Sequence, residues 1–586
     1  MERKYWKDID ELKETSSFLE SRDQEFPVEN SVEEFLSDEN LQESSAGRRD
    51  FLKFLGFTVA AATVAACEAP VTKAIPYVNK PENVTPGMPT WYASTYYDGN
   101  SYASIVIKTR EGRPILIKGN KDFGITHGNM NPQIAASVLS LYDSERLTRP
   151  RINGVGGSYS DLDKNVISEL KSAKKVVILS NTIISPSMNE AILNLGESIG
   201  VDKTEHIQYD AVSYAGIRNA NKISFEGLTD EFTGSGIIPS YDFTKAKTVI
   251  SIGADFLNSW LLPTQFSGQY GFSRNPDGEW MSKHFHFESV MSITGSNADV
   301  RGMIKPSEQK NVLSFMLKAF GVNTGVDNKL NPITKKKVEE AISSLKTSGS
   351  QSLVVCGSNE TSLQVLTNKL NSVIGAYKVT INVNNPIHLF KSEDEKMGAF
   401  VEDIIKGTVP EAVIFYGVNP VYTLSNGSEF GKGVQKIKTS VSMSLYADET
   451  ASLCKYVASD LHPLESWNDH RPVENHFSIA QPTIRPLHST ASALESMLVW
   501  AGKAKRAGKD SKVSYDFIRG LWEEKGFQDP SQDKYNDFES YWNIIVHNSS
   551  ANMIGVAPEE VAFNSDSLKS LKFKEYPGDR EIVLYQ

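Results

Sequence analysis

The chain has 586 residues, 40% of them hydrophobic and 23% charged, with a mean hydropathy of -0.32, the balance of a water-facing globular protein of about two to four domains. Its 61 Lys and Arg against 72 Asp and Glu give a net charge of -11 with no basic stripe, which excludes the electrostatic footprint of a nucleic-acid binder. The only cysteines, Cys67, Cys356 and Cys454, are too few and too scattered for the thiolate set of an iron–sulfur cluster, so no cluster is expected in this chain.

Residues 1–46 are rich in Glu, Asp and Ser and read as a solvated leader. Gly47-Arg48-Arg49-Asp50-Phe51-Leu52-Lys53 then precedes a small-residue apolar run that ends in Val64-Ala65-Ala66-Cys67. Paired arginines before such a run form a twin-arginine export signal, and a Cys after Val-Ala-Ala is where a lipoprotein precursor is cut and acylated. Phe51 to Ala66 is shorter than the roughly 20 apolar residues that span a bilayer, so a signal segment fits better than a membrane helix. Arg48, Arg49 and Cys67 are the expected export and lipid-attachment residues. The mature protein is then expected on the periplasmic face of the cytoplasmic membrane, held by its lipid. Residues 67–90, with prolines at 70, 76, 81, 86 and 89, read as an extended tether.

Alternation from Trp91 to Gly119, turning at Arg110-Glu111-Gly112-Arg113, predicts a β-hairpin that opens a β-rich first domain over 91–160. Beyond it, short apolar runs alternate with helical patterns. Strands are expected at 175–179, 248–252, 352–355, 378–382, 412–416 and 441–445, and helices at 187–199 and 362–374. Such alternation predicts parallel sheets covered on both faces, in two α/β units placed at 161–300 and 301–500. A helical stretch and the start of a further domain are expected over 501–586, with the last residues, Arg580 to Gln586, reading as a strand.

Ligands of doubly wound sheets bind beyond the carboxyl ends of the strands. Two such ends carry a glycine followed two residues on by Asp or Asn: Gly253 with Asp255, and Gly417 with Asn419. They are the candidate cofactor-binding residues, although each such turn is more often structural and no Gly-rich phosphate loop is present. His284 and His286 alternate along one side of a predicted strand, whereas His462, His470 and His476 fall in a stretch that reads as loop-rich. None has metal-ligand spacing. Cys356 and Cys454 read as small core residues.

Several segments resemble the molybdopterin oxidoreductase superfamily: Leu141-Tyr142-Asp143-Ser144-Glu145-Arg146-Leu147, Met291 to Asp299 with Ile304-Lys305-Pro306, Tyr456 to Trp467, and Ile479 to Leu487. The resemblance implies an α/β fold with two doubly wound parallel-sheet units and a small β-rich N-terminal domain. Catalytic members carry a cysteine motif near the start of the first domain, and residues 95–131 contain no cysteine here. With the leader, the signal and the lipid-attachment Cys, the chain looks like the B subunits of bacterial alternative complex III, a respiratory quinol:cytochrome c oxidoreductase. That resemblance implies a non-catalytic scaffold with no cofactor of its own. Its implied partners are a ferredoxin-like iron–sulfur half, downstream or separate, a multihaem c-type cytochrome subunit and integral membrane quinol-binding subunits. The alternative is a catalytic oxidoreductase that keeps molybdopterin guanine dinucleotide without the cluster.

Overall fold

Two parallel sheets form the centre of the computed structural model, which describes residues 87–230, 234–526, 535, 537–575 and 580–584. Arg48, Arg49 and Cys67 lie outside the described residues. The larger sheet has the order Val155–Gly156, Arg151–Ile152, Tyr456–Ser459, Thr439–Ser444, Ala412–Tyr416, Val176–Ser180, Thr204–Gln208. Its strands run parallel from Tyr456–Ser459 onward, and the short Arg151–Gly156 hairpin adds an antiparallel edge.

Residue alternation shows why these strands read as continuous apolar runs. Val176, Ile178, Ala412 and Ile414 pack into one hydrophobic cluster, while Val177, Leu179, Val413 and Phe415 pack into another. Both faces are therefore buried, as a parallel sheet flanked by helices requires. Helix Pro186–Ile199 covers the first face and helix Asp394–Lys406 the second. The former starts where the sequence dictates: Ser185 accepts a hydrogen bond from the Met188 N–H, and Pro186 occupies the first turn, where no N–H is needed.

The smaller parallel sheet has the order Val300–Met303, Lys283–Glu288, Thr248–Ile252, Ser352–Cys356. The two sheets thus draw their strands from both sides of residue 300, and the expected division there does not follow them. The chain enters the larger sheet at Val176–Ser180, leaves to build the smaller one, and returns at Ala412–Tyr416. Local patterning marks strands but carries no information on which distant strand pairs with which.

A five-stranded antiparallel sheet joins Ser550–Asn552, His476–Ala480, Asn468–Val473, Ile381–Ile387 and Ile238–Tyr241. Its members correct two expectations. The strand placed at 378–382 begins at Ile381 and is antiparallel, because Ala376–Lys378 forms a 3₁₀ turn. The stretch holding His470 and His476 is a β-hairpin rather than loop, its alternation broken by a register shift between His470 and Val473. Towards the C-terminus, Ile518, Trp522, Trp542 and Ile545 pack into the core cluster beside the larger sheet. The described residues 580–584 are not in a strand; Glu581 accepts hydrogen bonds from the N–H and Oγ of Ser307.

The N-terminal sheet has three antiparallel strands, Thr90–Tyr97, Tyr102–Arg110 and Arg113–Gly119. Glu111 and Gly112 both have positive φ, 52° and 75°, the conformation that a tight two-residue hairpin demands. Ile105, Ile107 and Ile117 pack one face of this sheet onto Ile134, Val138 and Leu141 of helix Pro132–Leu141. Among the described residues no helix is long and apolar enough to cross a membrane.

Candidate functional site

The carboxyl ends of the larger sheet's parallel strands open onto a cavity of about 300 Å³. Asn181 and Thr182 follow one strand, Tyr416 and Gly417 the next, Leu445 a third, and Asp460 to His462 a fourth. This is the crevice that doubly wound sheets offer to ligands. The opposite wall comes from Thr95 to Gly99 of the N-terminal sheet and from Asn468, His470 and Ala480 of the antiparallel hairpin.

Asp460 is the central acid. Its carboxylate accepts hydrogen bonds from the N–H groups of Leu461 and Ala493, at 2.7 and 2.8 Å. Burial dominates these donors and pushes its pKa up to about 6. Burial pushes His470 the other way, to about 3, so its imidazole is neutral at physiological pH. Its ring meets Tyr97 edge-on at 5.8 Å, and its Nδ1 has no hydrogen-bond partner among the described residues. Tyr97 donates to the Thr182 carbonyl at 2.8 Å. His462, also pushed down by burial, to about 4, accepts at Nδ1 from the Leu464 N–H and pairs through Nε2 with Ser140 Oγ at 2.9 Å. The cavity therefore offers neutral hydrogen-bonding rings beside an acid that holds its proton to near pH 6.

A buried ion pair supports this wall. Arg146 and Glu465, with side chains 1% and 0% exposed, meet at 2.5 Å. Arg146 also donates to the Leu141 carbonyl, and Glu465 accepts from the N–H groups of His462 and Leu487. Three of the segments singled out in the sequence thus converge on one guanidinium–carboxylate contact.

Of the candidate residues, Gly417 lines the cavity, whereas Gly253, Asp255 and Asn419 do not. Both glycines have φ of 64°, and both acceptor side chains are engaged in the same way. Asp255 Oδ1 accepts from the N–H and Oγ1 of Thr294 at 3.0 and 2.6 Å, and Asn419 Oδ1 from those of Thr450 at 3.2 and 2.7 Å. The two turns brace neighbouring loops. Asp460 and Tyr97 were missed by sequence reasoning; Asp460 obeys the same strand-end rule, but its strand, Tyr456–Ser459, is too short to stand out.

His462 and His470 share the cavity wall, and the other three predicted histidines lie elsewhere. His284 and His286 are buried in the smaller sheet, paired with Tyr270 and Glu288 respectively, and His476 faces Asn552. Among the described residues no group of three or more His, Cys, Asp or Glu could hold a metal. Burial pushes the thiols of Cys356 and Cys454 up to about 11 and about 12, so both are protonated, and neither lines the cavity.

The molybdopterin guanine dinucleotide of the alternative expectation carries phosphate charge that calls for cations or free N–H groups. Among the described residues the cavity wall contains Asp98 and Asp460 but no Lys or Arg. A Cβ on Gly417 would meet Asn181 Oδ1 at 2.8 Å, so that glycine already serves contact with a side chain. The volume lies at the bottom of the range for drug-sized ligands, roughly 300–1,000 Å³. The described residues lining this cavity thus offer no cation to the dinucleotide's diphosphate.

No family model matches the chain. Its fold is similar to that of acetylene hydratase from Pelobacter acetylenicus, with a TM-score of 0.51 and 11% identity, covering 79% of this chain and 74% of that one. In sequence it is 23% identical over 514 residues, 78% of this chain and 72% of the relative, to the menaquinone reductase, molybdopterin-binding-like subunit of Nitratidesulfovibrio vulgaris strain Hildenborough. The chain thus has a molybdopterin oxidoreductase-like α/β fold and is similar, over most of its length, to a molybdopterin-binding-like subunit of a menaquinone reductase.

Proposed function

We propose that this chain is a non-catalytic, molybdopterin oxidoreductase-like scaffold subunit of a membrane respiratory complex that exchanges electrons with quinol, of the alternative complex III type. One observation carries the reading: among the described residues, the strand-end cavity is walled by carboxylates and neutral histidines, with no cation for a diphosphate and no thiol for a metal. The name of the Nitratidesulfovibrio relative, a molybdopterin-binding-like subunit, supports it. In this reading the twin-arginine signal at Arg48 and Arg49 exports the folded chain, and acylation at Cys67 anchors it on the periplasmic face. The chain then positions a ferredoxin-like iron–sulfur domain, a multihaem c-type cytochrome and integral quinol-binding subunits.

The test is elemental and pterin analysis of the complex isolated from its native membrane. Molybdenum and tungsten are expected far below one atom per chain, with no pterin fluorescence after acid denaturation. Stoichiometric metal with pterin would replace this reading by a catalytic, pterin-dependent one.

A further inference from the structure

We propose that the open end of the N-terminal sheet is a docking surface for an anionic lipid bilayer. One face of this sheet is covered by helix Pro132–Leu141. The other carries the cross-strand row Trp91, Lys108 and Leu116, next to Val106 and Lys118. Trp91 is 42% exposed and Leu116 37%. Ile115, the extra residue at the register shift in the edge strand, is 48% exposed, and Met88, just before the first strand, 63%. Exposed large apolar side chains gathered at one corner mark an interaction site rather than ordinary surface.

The charges select the occupant. Lys108 and Lys118 both hold their ammonium groups 5.8 Å from the centre of the Trp91 ring, and Arg110 and Arg113 flank the adjacent turn, where Glu111 is the one acid. This cationic corner belongs to a chain of net charge -11. Protein–protein interface cores are depleted in lysine, whereas a tryptophan framed by lysines with their stems along apolar surface is the pattern of a bilayer interface. Anionic headgroups complement the corner. The proposal rests on the membrane reading above for its location: 23 residues (90 − 67) separate Cys67 from the sheet, at most about 80 Å of extended chain.

Flotation of the full chain carrying Cys67→Ser, which cannot be acylated, removes the lipid anchor, and because the segment before residue 67 is common to every variant compared, differences between variants report this surface. The chain is expected to float with phosphatidylethanolamine–phosphatidylglycerol vesicles at low salt, to be released at high salt, and to ignore phosphatidylcholine vesicles. Lys108→Glu with Lys118→Glu is expected to lower the partition by at least about tenfold, as is Trp91→Ala, with the near-ultraviolet dichroism and melting temperature kept as the check on folding. Failure of the Cys67→Ser chain to bind anionic vesicles, or binding indifferent to these substitutions, overturns the proposal. So does a partner protein crosslinked through Lys118 in native membranes when vesicles bind nothing. The intact mass of the native protein reports acylation at Cys67 separately, so loss of the anchor reading and loss of the docking surface are told apart.

Discussion

The two parallel-sheet units end a central strand in the same way and put the result to different uses. Gly253-Ala254-Asp255 and Gly417-Val418-Asn419 share a glycine at φ 64° and an acceptor side chain that takes both hydrogens of a threonine beyond the neighbouring strand. In the smaller unit the turn closes on protein: a Cβ on Gly357 would meet the Gly253 carbonyl at 2.2 Å. In the larger unit the turn meets the Asn181 side chain on one side and opens onto the cavity on the other, where Asp460 and the N-terminal sheet supply further wall. A strand-end glycine therefore specifies a turn, and its neighbours decide whether that turn becomes a site.

The largest contrast is expected from the ion pairs at the two strand ends. Arg146→Ala strands the fully buried Glu465 and should cost about 3–5 kcal/mol of unfolding free energy. Arg301→Ala should cost less, about 1–3 kcal/mol, because its guanidinium is partly exposed and the buried Glu288 keeps the Ser292 N–H and His286 as partners. Urea denaturation of the two variants measures the difference, and equal losses would mean that the Arg146 wall is not specially dependent on its ion pair.

Proton linkage sharpens the contrast next. His470 has a folded pKa of about 3, below its unfolded value, so its contribution to stability is complete above pH 6.5 and is lost as the pH falls towards 3. His470→Gln should therefore reduce the loss between pH 6.5 and 4 by about 3 kcal/mol. Asp460 has the opposite sign. Its folded pKa of about 6 lies above the ordinary value of 3.8, so its penalty is absent below pH 4 and complete above pH 6. Asp460→Asn, which keeps an oxygen for Leu461 and Ala493, should gain up to about 3 kcal/mol at pH 7 and nothing at pH 4. A pH series of urea midpoints that did not separate these variants would refute the burial of the two groups.

Smaller effects test the shared turn itself. Asp255→Ala and Asn419→Ala each leave a threonine N–H unpaired and should cost about 1–3 kcal/mol. Asp255→Asn turns one unit's device into the other's and should cost less than about 1 kcal/mol, since the Oδ1 acceptor remains. Gly253→Ala and Gly417→Ala both meet the left-handed backbone cost of about 1–2 kcal/mol. Gly417→Ala should lose slightly more, because its Cβ would also press on Asn181 at 2.8 Å, against 3.3 Å from Gln309 for Gly253.

The sequence by itself determined the local pieces. Apolar runs at 248–252 and 412–416 coincide with the strands Thr248–Ile252 and Ala412–Tyr416, and the Glu111-Gly112 turn falls where the alternation breaks. These are short-range facts, fixed by side-chain burial on both sheet faces and by the φ that glycine permits. Only the tertiary structure decided that strands on either side of residue 300 share sheets, since pairing depends on contacts far apart in the chain. It alone also brought Arg146 to Glu465 across 319 positions and set Asp460 and His470 around one cavity. Their shifted protonation comes from desolvation by elements remote in sequence, which residue order does not encode.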